Sequence, residues 1–591
     1  MSTCARIFAV FVGGATIVAL GCSSSSQGTS GAAGTKGGAG NAAAGRGETG
    51  TGGAAGTGGG AGGGGGAGTG GAGTGAAGTT GTAGATGTAS ATGTAGAAGA
   101  AGTGGTMADV GLGFKDTSAS VLTRNKHETR DGHFIQPMLT FANLNGRLKG
   151  DTTFAPTFSG DLFGSPLYME DGPAGKGAFF VATTSNDVYA FDETTGAVVW
   201  HHSTGRAPDA SGAGCGNVAP VGIISTPVID LATRTIFVAG GVGEASTIMH
   251  HEVHALSVDT GAERLGWPVD VSTLTAPDGT AFNTPAQNQR GALSLVNGIL
   301  YVPYGGHAGD CNNYRGWVVA IKIADPTQIA AWATGGIGEG IWAPGGMAST
   351  GDGVFATTGN NTRPTTQHFD SEEVVHIRGM AQVDRTTGIF FPSVWMDMDL
   401  GDQDFGANSA VVFSLPGATP SILMAAVSKN GLFFLLDPAN LGGMDGELAR
   451  LNVGGPVKTV PVAYKTDVAT YVLFTAQNAL PYCPTGSPVS NSAVYSVAVA
   501  ITPGSPPTAK VAWCRSGDLP QFMVTTSDGT HDAIAWYNSG GALAGLVADT
   551  GDLALVVSDL ICASPRMTSP IAVKGRIVEV GSGRLCSYSL H

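Results

Sequence analysis

The sequence predicts an all-β protein: an eight-bladed β-propeller of four-stranded antiparallel blades, preceded by a disordered N-terminal tether. From residue 107 onward, short runs rich in Val, Ile, Phe and Tyr alternate with clusters of Gly, Asn, Asp and Pro, as in strands joined by turns. A cycle of four such strands recurs at a spacing of roughly 40 to 60 residues, which is typical of propeller blades. Ahead of residue 107 the chain is almost wholly Gly, Ala, Thr and Ser, a composition that cannot bury a core.

The N-terminus has the pattern of an export signal. A charged start is followed by apolar residues 7–20 and then by Gly21-Cys22, as in a cleaved signal peptide. Gly21-Cys22 followed by a run of serines resembles the end of a bacterial lipoprotein signal, which implies a signal peptide over residues 1–22 and lipidation of Cys22. We therefore expect an exported protein anchored through its lipid in the outer membrane or at the cell surface. Ala19 stands where such signals usually carry leucine, so a periplasmic or secreted protein is the alternative.

The rest of the chain divides into a linker and a folded body. Residues 23–106 have no hydrophobic period and almost no charge, so burial cannot offset the entropy of ordering this backbone. They are predicted to form a disordered Gly/Ala/Thr-rich linker. Residues 107–591 contain all the strand-like runs and form the predicted propeller.

The charge of the chain excludes one class of partner. The formal net charge is −14 and no Lys/Arg cluster is present. Nucleic-acid binding needs a basic stripe that displaces counterions from phosphate, so no nucleic-acid partner is expected. No run after the signal is apolar enough to span a bilayer.

The first blades can be read directly from the sequence. The first cycle consists of SPLYM, AFFVATT, DVYAFDETTG and AVVWHHST, and the next two begin at STPVID and ALSLVNG. Four more begin near Gly345, Ser409, Thr459 and Phe522. The final cycle, SPIAVKG, RIVEVGS and RLCSYSL, has only three strands before the chain ends.

A propeller has to close its ring without an exposed sheet edge. The missing outer strand of the last blade is therefore expected from the N-terminal side, and the candidate is the segment LKGDTTFAPT ahead of the first blade. Counting this shared blade gives eight blades, with seven as the alternative.

One segment carries a specific repeat motif. AFDETTGAVVW resembles the repeat of quinoprotein β-propellers, which are named after the cofactor pyrroloquinoline quinone (PQQ) and have the pattern A-x-D-x-x-T-G-x-x-x-W. The residues that match are Ala190, Asp192, Thr195, Gly196 and Trp200. The resemblance implies that the repeat tryptophan packs between neighbouring blades, so Trp200, Trp267 and Trp332 are expected to be structural.

A wider resemblance covers nearly all of the folded part. The segments VLTRNKHETRDGHFIQPMLTFANLN, QRGALSLVNGILYVPYGG, GIWAPGGMA and VSKNGLFFLLDPANLGG look like those of a group of secreted bacterial PQQ-like repeat proteins. Members of this group are named for their fold and mostly have no defined activity. The resemblance therefore implies the architecture rather than the function.

Quinoprotein alcohol dehydrogenases of this fold hold PQQ with a Ca²⁺ ion, a catalytic aspartate, a tryptophan floor and a ring of adjacent cysteines. This chain has no adjacent cysteine pair and no C-x-x-C-H haem motif, and no motif in it matches the residues that bind the Ca²⁺ there. No catalytic residue is identifiable from the sequence. PQQ and Ca²⁺ stay open as cofactors because binding residues in propellers are scattered over several blades.

The acidic run DMDLGDQD is a weak metal candidate. It offers the carboxylates of Asp397, Asp399, Asp402 and Asp404 to a hard cation. The run lacks the spacing of an EF-hand loop, so a solvated loop between blades is the favoured interpretation.

Six cysteines remain after the signal peptide, in a chain that is expected to reach an oxidising compartment. They are Cys215, Cys311, Cys483, Cys514, Cys562 and Cys586. Six cysteines allow fifteen pairings. Locality and blade geometry favour Cys483 with Cys514 and Cys562 with Cys586, which leaves Cys215 for Cys311.

The loop YGGHAGDCNNYRGW concentrates polar side chains between two predicted strands. In a propeller, the loops between the second and third strands emerge on the same face as the connections between blades. His307, Asp310, Tyr314 and Arg315 are therefore candidates to contact a ligand over the central funnel. A purely structural loop fastened through Cys311 is the alternative.

These observations predict an envelope-anchored PQQ-like propeller that acts as a binding module, with its top face and funnel presented to a small ligand, a polymer or a protein. A PQQ-dependent alcohol or sugar dehydrogenase is one alternative. A scaffold that resembles the propeller factor of outer-membrane protein assembly is another.

Overall fold

The structure is a computed structural model that describes residues 118–490, 492–517, 521–563 and 567–591. The predicted signal peptide (residues 1–22), the lipidated Cys22 and the linker (residues 23–106) lie outside the described residues. Within the described part of the chain, no helix is both long and apolar enough to cross a membrane.

The strands form eight sheets arranged as propeller blades. We number the blades in chain order and give their strands from the inner to the outer edge. Blade 1 contains Leu167–Met169, Ala178–Ala182, Asp187–Asp192 and Val198–Ser203; blade 2 contains Val228–Asp230, Thr235–Glu244, Thr247–Ser257 and Val269–Asp270. Blade 3 contains Ser294–Val296, Ile299–Gly306, Trp317–Lys322 and Ile329–Ala333, with Gln287–Asn288 paired beside the second strand.

Blade 4 is the irregular one. Its strands are Val354–Thr357, Val374–Arg378 and Ile389–Phe391, with Gln382–Val383 as a short addition. Its outer strand, Gly443–Met444, comes from within blade 5 and pairs in parallel. Blade 5 itself contains Val411–Ser414, Ile422–Val427, Leu432–Leu436 and Ala449–Asn452.

The last three blades follow the regular pattern. Blade 6 contains Val462–Lys465, Thr470–Gln477, Val494–Thr502 and Thr508–Ser516; blade 7 contains Met523–Thr526, Ile534–Ser539, Ala542–Val547 and Leu553–Val557, with His133–Ile135 paired in parallel at its inner edge. Blade 8 contains Ile571–Val573, Arg576–Gly581, Arg584–Leu590 and Leu148–Asp151. The short helices are Phe141–Leu144, Trp395–Leu400 and the 3₁₀ turns Pro173–Gly175, Phe405–Ala407 and Leu480–Tyr482.

The ring closes as the sequence predicts. The N-terminal strand Leu148–Asp151 pairs antiparallel with Arg584–Leu590, in a register that sets Leu148 opposite Leu590. The predicted count of eight blades is confirmed, and the closing strand lies within the predicted segment. Pairing of strands from the two ends of the chain removes the sheet edge that an open blade would expose.

Each blade is buried on both faces, which explains the nearly continuous apolar runs. In blade 1, Phe180 and Val188 pack in the core shared with blade 2, whereas Phe179 and Tyr189 pack in the core shared with blade 8. Successive residues of a strand point to opposite faces, so a strand between two cores needs apolar residues at every position.

The repeat motif has a packing role. Asp192 accepts hydrogen bonds from the Thr195 amide and hydroxyl at 2.8 and 2.9 Å, which holds the turn that Gly196 completes with a φ of 71°. Trp200 then donates from Nε1 to the Val258 carbonyl at 2.7 Å and lies against Gly261 of blade 2. The motif therefore wedges one blade against the next.

A segment ahead of blade 1 fills the axis of the ring, and we call it the axial segment (residues 121–136). Val121 pairs with Tyr168 of blade 1, Arg130 donates to the Leu293 carbonyl of blade 3 and Gln136 bonds with blade 8. Backbone carbonyls of the segment accept hydrogen bonds from amides of the other five blades. Those of Leu122, Glu128, Thr129, Asp131 and Gly132 accept from blades 2, 4, 5, 6 and 7, respectively. A segment bonded to the inner edge of every blade lies across the central channel.

Three disulfides brace the propeller. They join Cys215 to Cys311, Cys483 to Cys514 and Cys562 to Cys586. These are the pairs that locality and blade geometry favour among the fifteen. The first links the connection between blades 1 and 2 to the polar loop of blade 3, and the other two lie within or beside single blades.

Candidate functional site

The connections between blades surround one large cavity above the axial segment, which we call the funnel. Its volume is about 710 Å³, which is within the range of small-molecule sites. The residues that line it are Asn217, Arg290, Gly306, His307, Ala308, Gly309, Asp310, Tyr314, Trp342, Asp402, Asp404, Lys429, Lys458, Thr459, Gln521 and Met567. Most of them lie where one blade ends and the next begins, so no single sequence segment contains the site.

The polar loop of blade 3 forms one side of the funnel. Of its four candidate residues, His307, Asp310 and Tyr314 line the cavity. Tyr314 is buried beside Gly306, and its hydroxyl donates to Asp310 Oδ1 at 2.6 Å. Burial and then the Asp310 carboxylate raise the pKa of Tyr314, so the phenol stays protonated.

Arg315 does not line the funnel. Its guanidinium donates from Nη1 to the Thr334 carbonyl at 2.8 Å and lies 3.3 Å from Asp278 Oδ2. Three of the four candidate residues of this loop therefore line the cavity, and the fourth points to the blade surface.

Arg290 is the principal cation of the funnel wall, although it is only 8% exposed. Nε donates to the Trp342 carbonyl at 3.1 Å, and the guanidinium carbon lies 4.6 Å from the centroid of the Trp342 ring. No carboxylate of the described residues forms an ion pair with it. Burial lowers the pKa of Arg290 to about 10, which still leaves the side chain charged at neutral pH.

A lysine between two aspartates forms a second part of the funnel wall, which adjoins the first because Trp342 Nε1 donates to Asp404 Oδ1 at 3.4 Å. Lys429 follows the strand Ile422–Val427, and its Nζ donates to Asp402 Oδ1 at 2.7 Å and to Asp404 Oδ2 at 3.0 Å. Asp404 also accepts from the Asn360 amide at 3.2 Å. Burial lowers the pKa of Lys429, but the Asp404 and Asp402 carboxylates outweigh it and the net shift is upward.

The acidic run is divided among three environments. Asp402 and Asp404 line the funnel, whereas Asp397 is exposed on the helix Trp395–Leu400. Asp399, on the same helix, is buried and accepts from the Asn361 amide at 2.7 Å. Across the described residues, no group of three or more His, Cys, Asp or Glu side chains is placed to hold a metal ion.

Behind this wall lies a group of buried glutamates that the sequence analysis did not single out. Glu339, Glu372 and Glu373 have no exposed surface. Glu339 accepts from the Gly336 amide at 2.7 Å and from Asn361 Nδ2 at 3.0 Å. Burial raises the pKa of all three carboxyl groups, that of Glu339 to about 8.

The floor of the funnel is also positively charged. Arg124 of the axial segment is buried, and its Nη2 donates at 2.7 Å to the carbonyl of Met567, a funnel-lining residue. Burial lowers the pKa of Arg124 to about 9, with Arg130 as the second cause. No acidic side chain in the described part of the chain forms an ion pair with Arg124, and its remaining hydrogen bonds go to Asn125 and Thr226.

No protein-family model and no curated protein matches the sequence. Solved structures do match the fold. The quinohemoprotein alcohol dehydrogenase from Comamonas testosteroni aligns over 82% of this chain and 84% of its own, with a TM-score of 0.54 and 12% identity. The chain has the fold of the quinoprotein alcohol dehydrogenases.

Two further structures agree with this assignment. A quinohemoprotein alcohol dehydrogenase from Pseudomonas putida HK5 aligns over 82% of both chains, with a TM-score of 0.57 and 14% identity. A europium-containing methanol dehydrogenase aligns over 82% of this chain and 100% of its own, with a TM-score of 0.54 and 13% identity. The likeness at these identities concerns the fold alone, and the architecture predicted from the repeat motif is the one found.

Sequence reasoning missed several residues of the funnel: Arg290, Trp342, Lys429, Lys458 and Gln521. The first three lie in QRGALSL, GIWAPGG and VSKNG, segments that had been noted for the resemblance. These residues share one sequence feature: each stands before the first strand of a blade or just after the second strand. That position places a residue on the top face, but it does not show whether the side chain points into the funnel.

Proposed function

We propose that the protein is an envelope-anchored binding propeller whose funnel binds a small anionic ligand. The observation that carries the proposal is the state of Arg290, which is buried and charged and has no acidic partner among the residues described. A guanidinium has five N–H donors, and among the described residues only the Trp342 carbonyl accepts from Arg290, through Nε. An anion in the funnel would accept the remaining donors.

The energetics support this interpretation. Burial disfavours the charge of Arg290, and the nearby Asp404 and Asp310 carboxylates offset only part of this effect, because the net shift of the Arg290 pKa is downward. An anion that enters the cavity beside the guanidinium would offset more of it. Lys458 lies exposed at the rim and makes no ion pair within the described ranges. Arg290 and Lys458 are thus two cations that line the funnel without an ion pair to the described residues, and both favour an anionic ligand.

Anchoring is proposed on separate grounds. The lipoprotein-like Gly21-Cys22 start and three disulfides both suit an exported protein, because disulfides persist in oxidising compartments. Mass spectrometry of the mature N-terminus tests this part of the proposal. An acylated Cys22 is expected, and a free N-terminus at or after that position would mean release.

The binding proposal is tested by thermal-shift and calorimetric titration of the purified protein with small carboxylates. We expect at least one to stabilise the protein, and Arg290→Gln to weaken that binding by about 10- to 100-fold, because charge-assisted hydrogen bonds are worth about 1.5–3 kcal/mol. Arg315→Gln is the matched control, since Arg315 is bonded outside the funnel. Equal binding by the Arg290→Gln and wild-type proteins would contradict the proposal.

A quinoprotein oxidoreductase is the second candidate, and it is favoured by the fold. The residues present do not fit PQQ with Ca²⁺. The guanidinium of Arg290 lies over the Trp342 ring, and the described side chains offer no three-ligand metal set. Spectroscopic titration with PQQ and Ca²⁺ separates the candidates: stoichiometric quinone binding with dye-linked alcohol oxidation would establish the oxidoreductase.

A further inference from the structure

We propose that the anionic ligand is an acidic sugar, with its carboxylate at Arg290 and its hydroxyl groups at the wall formed by Asp402, Lys429 and Asp404. This inference rests on the proposed function and adds the chemical class of the ligand. It comes from the difference between two parts of the funnel wall: Arg290 presents guanidinium donors that bond no acceptor of the described residues, and Asp402, Lys429 and Asp404 present donors and acceptors side by side.

The acidic wall has open hydrogen-bonding positions. Lys429 Nζ carries three N–H donors, of which two point to Asp402 Oδ1 and Asp404 Oδ2. Asp402 Oδ2 accepts no hydrogen bond from the described residues, and the Asp402 side chain is 70% exposed. A free ammonium donor thus lies next to a free carboxylate oxygen.

A sugar hydroxyl matches this pair because it donates and accepts at the same time. Neighbouring hydroxyl groups on one ring can therefore donate to Asp402 and accept from Lys429, and both contacts are charge-assisted. A hydrocarbon ring in the same place would leave both positions without partners. This part of the wall therefore favours a ring that carries hydroxyl groups over a hydrocarbon ring.

The charges of the funnel also limit the ligand to one anionic end. Asp310, Asp402 and Asp404 all line the cavity, and like charges brought close in a confined site repel. A second anionic group would have to lie near one of these carboxylates. A single carboxylate on a neutral, hydroxylated body satisfies both walls.

The axial segment below the funnel leaves one route for the ligand. The axial segment crosses the channel beneath the funnel and bonds the inner edge of every blade, so the ligand enters and leaves through the top face. A free sugar acid and the end of an acidic polysaccharide share this chemistry, whereas a polysaccharide cannot thread through the ring.

The test compares three ring compounds by ligand-observed NMR titration of the purified protein: D-galacturonate, D-galactose without the carboxylate, and cyclohexanecarboxylate without the hydroxyl groups. We expect D-galacturonate to bind about tenfold or more tightly than either of the others, because each control loses charge-assisted hydrogen bonds. Trigalacturonate, which has three carboxylates, forms a fourth arm: tighter binding than the monomer indicates a polymer end whose other residues stay outside the funnel, and equal or weaker binding indicates a free sugar acid.

Variants of the protein test the anion site at Arg290 and the sugar inference separately. Asp402→Asn should remove the advantage of D-galacturonate over cyclohexanecarboxylate while binding of the latter persists, and Arg290→Lys should weaken both acids but not D-galactose. If cyclohexanecarboxylate binds as well as D-galacturonate and depends on Arg290, the sugar inference is wrong and the anion site stands. If neither acid binds, the proposed function and the sugar inference are both overturned.

Discussion

Replacing Glu339 with glutamine should make the stability of the protein less dependent on pH. Glu339 is fully buried, and burial raises the pKa of its carboxyl group from 4.5 to about 8, with the charges of Asp370 and Asp399 as further causes. In the unfolded chain the same carboxyl group regains its usual pKa. Between these two values the folded protein holds a proton that the unfolded protein has released.

This difference in bound protons sets the sign of the change in stability with pH. Stability is greatest below the unfolded pKa, where the group is protonated in both states, and it falls as the pH rises toward the folded pKa. The loss approaches about 1.4 kcal/mol per pH unit for one group, so Glu339 alone accounts for about 2.5 kcal/mol between pH 5 and pH 7. Other buried carboxyl groups whose pKa is raised, such as Glu579 with a pKa of about 7, add to the wild-type slope.

Glutamine keeps the size of the side chain and cannot ionise. It loses one of the two acceptor oxygens that bond Gly336 and Asn361, which costs about 1 kcal/mol at every pH. The quantity to compare is therefore the slope of the unfolding free energy with pH rather than its value at one pH.

The assay is urea unfolding followed by tryptophan fluorescence at several pH values between 5 and 7.5. We expect the Glu339→Gln slope to be shallower than the wild-type slope by about 1.4 kcal/mol per pH unit. Glu244→Gln, at an exposed hairpin position, serves as the control and should leave the slope unchanged. Parallel curves for the wild-type and Glu339→Gln proteins would refute a protonated Glu339 in the folded state.

Two further predictions concern the packing of the blades. Gly261→Ala should lower the free energy of unfolding by about 2–4 kcal/mol, because Gly261 has a φ of 71° and a Cβ there would lie 2.6 Å from the Trp200 ring. Gly298→Ala is the control and should lower it by only about 1–2 kcal/mol, since Gly298 has a φ of 74° but open space around it. Equal losses in urea unfolding would argue against packing of Trp200 on Gly261. Replacing Cys562 and Cys586, which are 24 residues apart, with alanine should lower stability by about 3 kcal/mol under oxidising conditions, and a loss of the same size in the presence of reductant would show that the bond is not its source.

Several parts of the fold could be predicted because their signals are local or periodic. The motif residues Asp192, Gly196 and Trp200 lie within one turn and one strand, so their spacing alone indicates the packing. The missing outer strand of the last blade followed from counting strands. The outer strand Gly443–Met444 of blade 4 could not be predicted, because it comes from a loop of the next blade and pairs over only two residues.

The candidate site was predicted only in part. His307, Asp310 and Tyr314 were found because they lie together in one loop, whereas Arg290 and Lys429 are single residues beside apolar strands. The acidic run illustrates the opposite case. Its members are close in sequence, but the helix Trp395–Leu400 and the turn after it direct them to different environments.

The sequence by itself determined the all-β class, the eight-bladed ring and its closure, because a repeated four-strand unit with two buried faces has few ways to hide its edges. Only the tertiary structure decided that the axial segment closes the channel and that Arg290 lines the same cavity as a lysine held between two aspartates. Those features depend on which side chains from separate blades meet at the axis. The sequence pattern indicates the strands that build the ring, but it does not indicate the distances between side chains of different blades.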